Sequence, residues 1–380
     1  MPPPAQTPPA PLKGGFPTPP FEGGILRETM TNQNGFILAA TLWILAAITL
    51  AAGFFALWTQ HALELARQGD ENLQGEIDLS GTQATLLYLL STQTLTIGGL
   101  TVPGGETDET SEKNMNPMDF SMAAVGGEIA LDDRPYKGLG KACFSIQDEG
   151  GLMGLNNFYT SHLENLLGLL GVPADRRGPL LDKLLDYTDM DDLHRLNGAE
   201  EDEYRRMGLP APPNRFLLTS WEIANVLDWK NQPGLWSKTP IPRLTTISSG
   251  GAPNLNTAPK EILMTMTGID ADTAMRLIEA RKEKPFTSIR EVQEAAGADL
   301  PLDPMGTALF PSAYLRLTLW QEGSQRMREV HVSLTPRADK QAPWLIDYEL
   351  LISMTQEQRH EAVQAIPSPV FAPAIYPDPQ

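Results

Sequence analysis

Hydrophobic positions along the chain fall into three regimes. The first is Phe36 to Trp58, FILAATLWILAAITLAAGFFALW, 23 residues without a charge whose polar side chains are Thr41 and Thr49. A run of that length matches the roughly 20 residues that cross a bilayer as a helix. Beyond it Leu63, Leu65, Leu73, Ile77, Leu86, Leu87, Leu89 and Leu90 recur among Glu, Gln and Arg, an amphipathic spacing that extends one N-terminal helix over residues 36–92. Gly69, Gly75 and Gly81 fall inside it. Each glycine costs about 1 kcal/mol against alanine in a helix interior, which predicts bends or breaks there.

The second regime is β-rich. TLTIGGLTV (94–102), GEIALDD (127–133) and ACFSIQDEGG (142–151) are short runs broken by Gly and Asp, and AYLRLTLWQ (313–321), REVHVSLTP (328–336) and WLIDYELLI (344–352) return to it late in the chain. Residues 104–122 are polar and read as a loop. The third regime, a long helical region, separates the two groups of strands. The fold class is therefore α+β: an N-terminal helix packed on an antiparallel sheet, with a large all-α domain inserted at 156–310. The expected divisions are a proline-rich leader (1–35), the N-terminal helix (36–92, with 36–58 transmembrane), β regions at 93–155 and 311–355, and a disordered tail (356–380).

Composition narrows the function classes. With 380 residues the chain has room for two or three domains. Its 47 acidic against 29 basic residues give a net charge of −18, which argues against wrapping a nucleic acid and suits cations or basic partners. The single cysteine, Cys143 in KACFSI, precludes an intramolecular disulfide and reads as a small buried strand residue. Nine prolines in the first 24 residues leave too little apolar surface to fold. Lys13 and Arg27 precede the apolar run, and Glu64 and Arg67, then Asp70, Glu71, Glu76 and Asp78, follow it, a bias that places the N-terminus in the cytoplasm and the bulk outside. Histidine pairs at metal-ligand spacing, a nucleophile elbow and phosphate-binding loops are absent, so catalysis finds no support in the sequence.

Two stretches of the helical region carry chemistry. In LLDYTDMDDLHRLNGAEEDEYRR, eight acidic residues between Asp186 and Glu203 stand against Arg195 alone. Such a cluster repels itself unless neutralised, and hard oxygens on a loop are what Ca2+ takes; the spacing is not an EF-hand, and the residues read equally as a solvated loop or a metal site. In APNLNTAPKEILMTMTGIDADTAMRLIEARKEK, Asn256 or Thr257 can cap a helix with Pro259 in its first turn. Ile262, Leu263 and Met266 then form one apolar stripe and Ala274, Leu277 and Ile278 a second, about a turn at Gly268, the pattern of a helix-hairpin-helix. Asp270 at the third place of that turn would repel phosphate, which favours a structural hairpin.

The junction of Gly35 with Phe36 resembles the type IV prepilin and pseudopilin signal, in which a membrane peptidase cuts after the glycine and the new N-terminal phenylalanine is methylated. A plain signal anchor is the alternative. Most of that class carries glutamate at the fifth mature residue; this chain has Ala40, a departure usual in minor pseudopilin K of type II secretion. Further residues resemble that family: Asp186, Tyr187, Asp189, Asp191, Gly198, Glu200 and Tyr204 follow its D-W-x-D-x-D…G-x-E pattern with Tyr187 in place of tryptophan, NLNTA (254–258) its N-(I/V)-N-T-A signature, and GLMGLNN (151–157) and RFLLTSWEIANVLDW (215–229) its segments around the insert. The resemblance implies a pilin-like fold with a helix-hairpin-helix or SAM-like insert. It implies calcium held by Asp189, Asp191 and Glu200, with Asp186 and Glu201 as further ligands. It also implies a single-pass protein of the bacterial inner membrane, not an enzyme, that joins the I and J minor pseudopilins at the tip of a periplasmic pseudopilus and meets the prepilin peptidase and the major pseudopilin. The other function class is a membrane-anchored periplasmic protein whose hairpin module binds a ligand or nucleic acid.

Overall fold

The computed structural model describes residues 34–103, 123–157, 161–248, 252–297, 300–302, 306–335 and 342–371. The chain forms two units, Met1–Gln68 and Gly69–Gln380. Within the first, the described part is helical, the start of α1 (Asn34–Thr92). Its apolar residues are solvent-exposed in the isolated chain: Trp43 is 79% and Phe54 76% exposed. This is the one helix among the described residues that is long and apolar enough to cross a membrane. The hydroxyls of Thr41 and Thr49 donate to the carbonyls of Leu38 and Leu45, each at 2.9 Å, so neither brings an unpaired polar group into an apolar surrounding. The loop expected at 104–122, the N-terminal extension 1–33 and residues 372–380 lie outside the described residues.

In the second unit α1 continues without interruption through Gly75 and Gly81, so the expected breaks do not occur. Close packing explains both glycines. A Cβ on Gly75 would lie 1.7 Å from the Gln321 side chain, and one on Gly81 would lie 2.8 Å from Leu139. Leu79, Leu86, Leu87, Leu89 and Leu90 form the buried stripe of this half and meet one face of a five-stranded sheet.

The strands before that sheet are a short hairpin, β1 (Leu95–Thr96) with β2 (Gly99–Leu100). The sheet itself is antiparallel, in the order β3 (Tyr136–Lys137), β4 (Ala142–Asp148), β7 (Tyr314–Gln321), β8 (Arg326–Leu334), β9 (Trp344–Ser353). Phe144, Ile146, Leu315, Leu317, Leu319, Val330 and Val332 face the α1 leucines. GEIALDD does not become a strand: Ile129 and Asp132 make single bridges, and Asp133 turns away in the left-handed region at φ 64°. β4 and β7 are neighbours in full register from Ala142↔Gln321 to Asp148↔Leu315, and everything between them is inserted.

The insert holds β5 (Met153–Gly154), paired in parallel with β6 (Thr245–Thr246), and the helices α2 (Ser161–Leu169), α3 (Ala174–Thr188), α4 (Glu201–Arg206), α5 (Ile241–Leu244), α6 (Lys260–Leu263), α7 (Ala271–Glu283) and α8 (Ile289–Ala296). They share a core of their own around Trp229, Leu166, Leu167, Leu184, Leu263 and Leu277. Gly268 turns the chain between α6 and α7 at φ 83°, and Asp270 caps α7 by accepting from Thr273 N at 2.8 Å.

Residues 356–371 correct the expected tail. Thr355 and Gln358 cap α9 (Gln356–Ala362) reciprocally. Beyond it Ile366 pairs with the β3 edge, Lys137 N donating to its carbonyl at 2.8 Å, and Phe371 packs edge-on to Phe144 at 5.7 Å between ring centres. Proline-rich composition hid a segment that closes one edge of the sheet.

Candidate functional site

The acidic loop begins where α3 ends. Asp186 is fully buried on its last turn, and Tyr187 beside it packs against Tyr204, with ring centres 6.1 Å apart. Arg195 folds back over this end. Its Nη1 donates to Asp186 Oδ1 at 2.6 Å and to Asp189 Oδ2 at 2.5 Å, and its backbone N to Asp186 Oδ2 at 3.2 Å. Gly198 is required for close approach, since a Cβ there would lie 1.7 Å from Asp186 Oδ2.

Glu200 lies 5% exposed at the start of α4, and neither of its carboxylate oxygens has a hydrogen-bond partner; Asp189 Oδ1 is buried and equally bare. Burial, then the charges of Asp186, Asp189 and Asp192, push the Glu200 carboxyl up to about 7. The neighbouring Glu203 behaves in the opposite way. Its hydrogen bond to His194, 2.5 Å from Nε2, holds it down at about 2, and the same contact raises His194.

Of the expected ligands, Asp186 and Asp189 are tied together by Arg195, and Glu200 lies near enough to feel both charges. Asp191 is exposed and accepts from Leu193 N at 2.9 Å, and Glu201 is exposed and ion-paired to Arg205 at 2.5 Å. Carboxylate oxygens are chemically suited to a hard cation, and three of these are without a hydrogen bond, although the Glu203 N–H faces the Glu200 side chain in a capping box. Among the described residues, however, no three acidic or histidine side chains converge within ligand distance of one point. Arg195 instead supplies the neutralising charge at Asp186 and Asp189.

NLNTA has a different role from the helix cap its composition suggests, for α6 begins only at Lys260 and no side chain caps it. Its residues lock the place where the chain enters and leaves the insert. The buried Asp148 carboxylate accepts from Gly150 N (2.9 Å), Ser312 N (2.9 Å), Ser312 Oγ (2.7 Å), Asn254 Nδ2 (2.8 Å) and Thr257 Oγ1 (2.8 Å). Asn256 Nδ2 donates to the carbonyls of Phe286 and Leu309, both at 2.9 Å, and its Oδ1 accepts from Phe286 N at 2.8 Å. Asn156, from GLMGLNN, serves the same end: it donates to the carbonyls of Leu217 and Ile247 and accepts from Leu217 N.

A second buried group escaped the sequence reading. Arg316 and Thr318 on β7, and Glu329 and His331 on β8, alternate with the core leucines and valines, a pattern that ordinarily marks a solvent face. Here the insert covers that face, and all four are buried. The one available signal was the density of charged and titratable residues on two adjacent strands. Cys143, as expected, is fully buried on β4, and burial raises its thiol to about 11.

An N-terminal helix long and apolar enough to cross a membrane, an antiparallel sheet and a helical domain inserted between two paired strands define an α+β protein. Residues 145–233 and 253–309 match the family models of type II secretion system protein K. Over these segments, which hold the acidic loop and NLNTA, the chain resembles the minor pseudopilin K of that system. A solved chain from the crystal structure of the GspK-GspI-GspJ complex of the enterotoxigenic Escherichia coli type 2 secretion system is 14% identical, with a TM-score of 0.46, covering 76% of this chain and 99% of that one. No curated protein matches the chain.

Proposed function

We propose that the protein is a minor pseudopilin of type II secretion that caps the tip of the periplasmic pseudopilus. The observation that carries this reading is the pair of segments matching the K-family models, which run from within β4 to just before β7 in a chain whose N-terminal helix is apolar and exposed. In this reading a prepilin peptidase cuts between Gly35 and Phe36, Phe36 is methylated, and the helix stays in the bacterial inner membrane with its N-terminus cytoplasmic. The I and J minor pseudopilins are the direct partners and the major pseudopilin lies below. Ala40 leaves the subunit without the carboxylate that would neutralise a neighbour's N-terminal amine, which suits a terminal position. The α6–Gly268–α7 unit is a structural helix-hairpin-helix, and the insert acts by bulk and assembly rather than by catalysis. Mass spectrometry of the chain co-expressed with a prepilin peptidase is expected to show a methylated N-terminus at Phe36. An uncut chain defeats the proposal.

Calcium belongs to the same reading. Asp189, Asp191 and Glu200 would hold it, with Asp186 and Glu201 as further ligands. The ion would supply positive charge at the bare oxygens of Glu200 and Asp189. A chelator is then expected to lower the melting temperature of the purified protein, with recovery on adding Ca2+. No change on either addition, by scanning calorimetry, removes the metal from the proposal.

A further inference from the structure

Where the insert meets the sheet, His331 lies 2% exposed with a carboxylate at each ring nitrogen. Nδ1 meets Glu149, at the entrance to the insert, and Nε2 meets Glu329 Oε1 at 2.9 Å. An ionised carboxylate only accepts, and a neutral imidazole carries one N–H, so a neutral ring would leave one nitrogen facing an acceptor without a proton. Both contacts are made together only by the imidazolium.

The surrounding charges close around that proton. From the insert, Arg243 on α5 reaches Glu329 Oε2 with Nη1 at 2.9 Å and pairs with Asp133 through Nη2. From β7, Arg316 reaches Asp133 Oδ2 at 3.2 Å and donates to the Arg243 carbonyl at 3.1 Å. Trp221 Nε1 donates to Glu329 Oε1 at 3.0 Å, and Thr246 of β6 donates to Glu149. On β9, Tyr348 stacks on the imidazole at 3.9 Å between ring centres, and Asp347 at the rim is a further carboxylate whose charge reaches the ring. Arg243, Arg316 and protonated His331 balance Asp133, Glu149 and Glu329. Loss of the His331 proton leaves a buried negative charge uncompensated and one contact across the junction without its hydrogen.

We propose that the seat of the inserted domain on the sheet is a pH-sensitive coupling, closed while His331 is protonated and loosened when it deprotonates. Burial by itself lowers the basicity of this imidazole, but the two carboxylates outweigh it and the net direction is upward. For a histidine raised in the folded state, the contribution is complete below the ordinary value of about 6.5 and is lost as pH rises through the raised one. The loosening therefore belongs to the alkaline side.

The test uses the full chain in detergent micelles. 13C-labelled histidine NMR follows His331, and hydrogen exchange, corrected for the intrinsic effect of pH, follows Trp221 and Thr245–Thr246. The expected result is a His331 midpoint above about 6.5 and, beyond it, interface protection falling about tenfold per pH unit while the amides of β4 and β7 stay protected. Glu149→Gln removes one carboxylate and is expected to move both the midpoint and the loss of protection to lower pH together. His331→Gln is expected to leave the interface open at every pH tested. The proposal is overturned if His331 titrates at or below the ordinary value, if interface protection is flat across its midpoint, or if Glu149→Gln moves one transition without the other.

Discussion

The carboxylate of Asp148 accepts from five donors, those of Gly150 and Ser312 at the two ends of the insert and those of Asn254 and Thr257 within it, and asparagine would keep its size while turning acceptor positions into donors that face donors. Asp148→Asn is expected to cost about 2–4 kcal/mol, read as a shift in the denaturant midpoint at constant slope. Glu200 calls for the opposite sign. Its carboxyl is raised to about 7, so the folded state holds a proton that the unfolded chain releases, and stability falls as pH climbs from the ordinary glutamate range through that value. Without divalent cations at pH 8, Glu200→Gln is expected to stabilise by about 1–2 kcal/mol, measured by urea titration. The same variant is expected to lose any response to Ca2+. The sequence marks Asp186 and Glu200 by charge density and Arg195 as the lone opposing charge, but not the reach of Arg195 back to Asp186 and Asp189, which depends on how the loop folds.

At the scale of elements, α1 shows how far pattern carries. Its leucine stripe is legible, and Leu86, fully buried against the sheet, is expected to cost about 2–5 kcal/mol when truncated to alanine, as seen in thermal melts. The strands from Ala142, Tyr314, Arg326 and Trp344 were legible to within three residues, because each alternates or is bounded by Gly and Asp. Three elements were not. Propensity argued for breaks at Gly75 and Gly81, but these glycines admit Gln321 and Leu139 at short range, and tertiary packing outweighs the local cost. GEIALDD reads as a strand, yet Asp133 leaves the strand conformation to meet Arg243 and Arg316. Residues 356–371 read as tail because their packing partners on β3 and β4 lie more than two hundred residues earlier in the chain.

For the whole molecule, α1 with the sheet and the insert each hold a hydrophobic core, joined by the Asp148 latch and the His331 cluster. Cores coupled in this way are expected to unfold as one. Trp229→Ala in the insert, a change of about 3–5 kcal/mol, is expected to lower the melting of the sheet as well, giving a single transition below the His331 midpoint. Two separate transitions there would show the cores to be independent.

The register of β4 against β7 also bears on how the chain reaches this state. Pairing Asp148 with Leu315 closes a loop of well over a hundred residues, which for a disordered chain costs on the order of 4–5 kcal/mol in entropy before any strand contact returns it. A folded insert removes most of that cost, because its ends already lie side by side at Asp148 and Ser312. The insert is therefore expected to fold first and to serve as the template on which the sheet closes. During synthesis, β4 must wait, unpaired on that side, until the chain has emerged as far as β7.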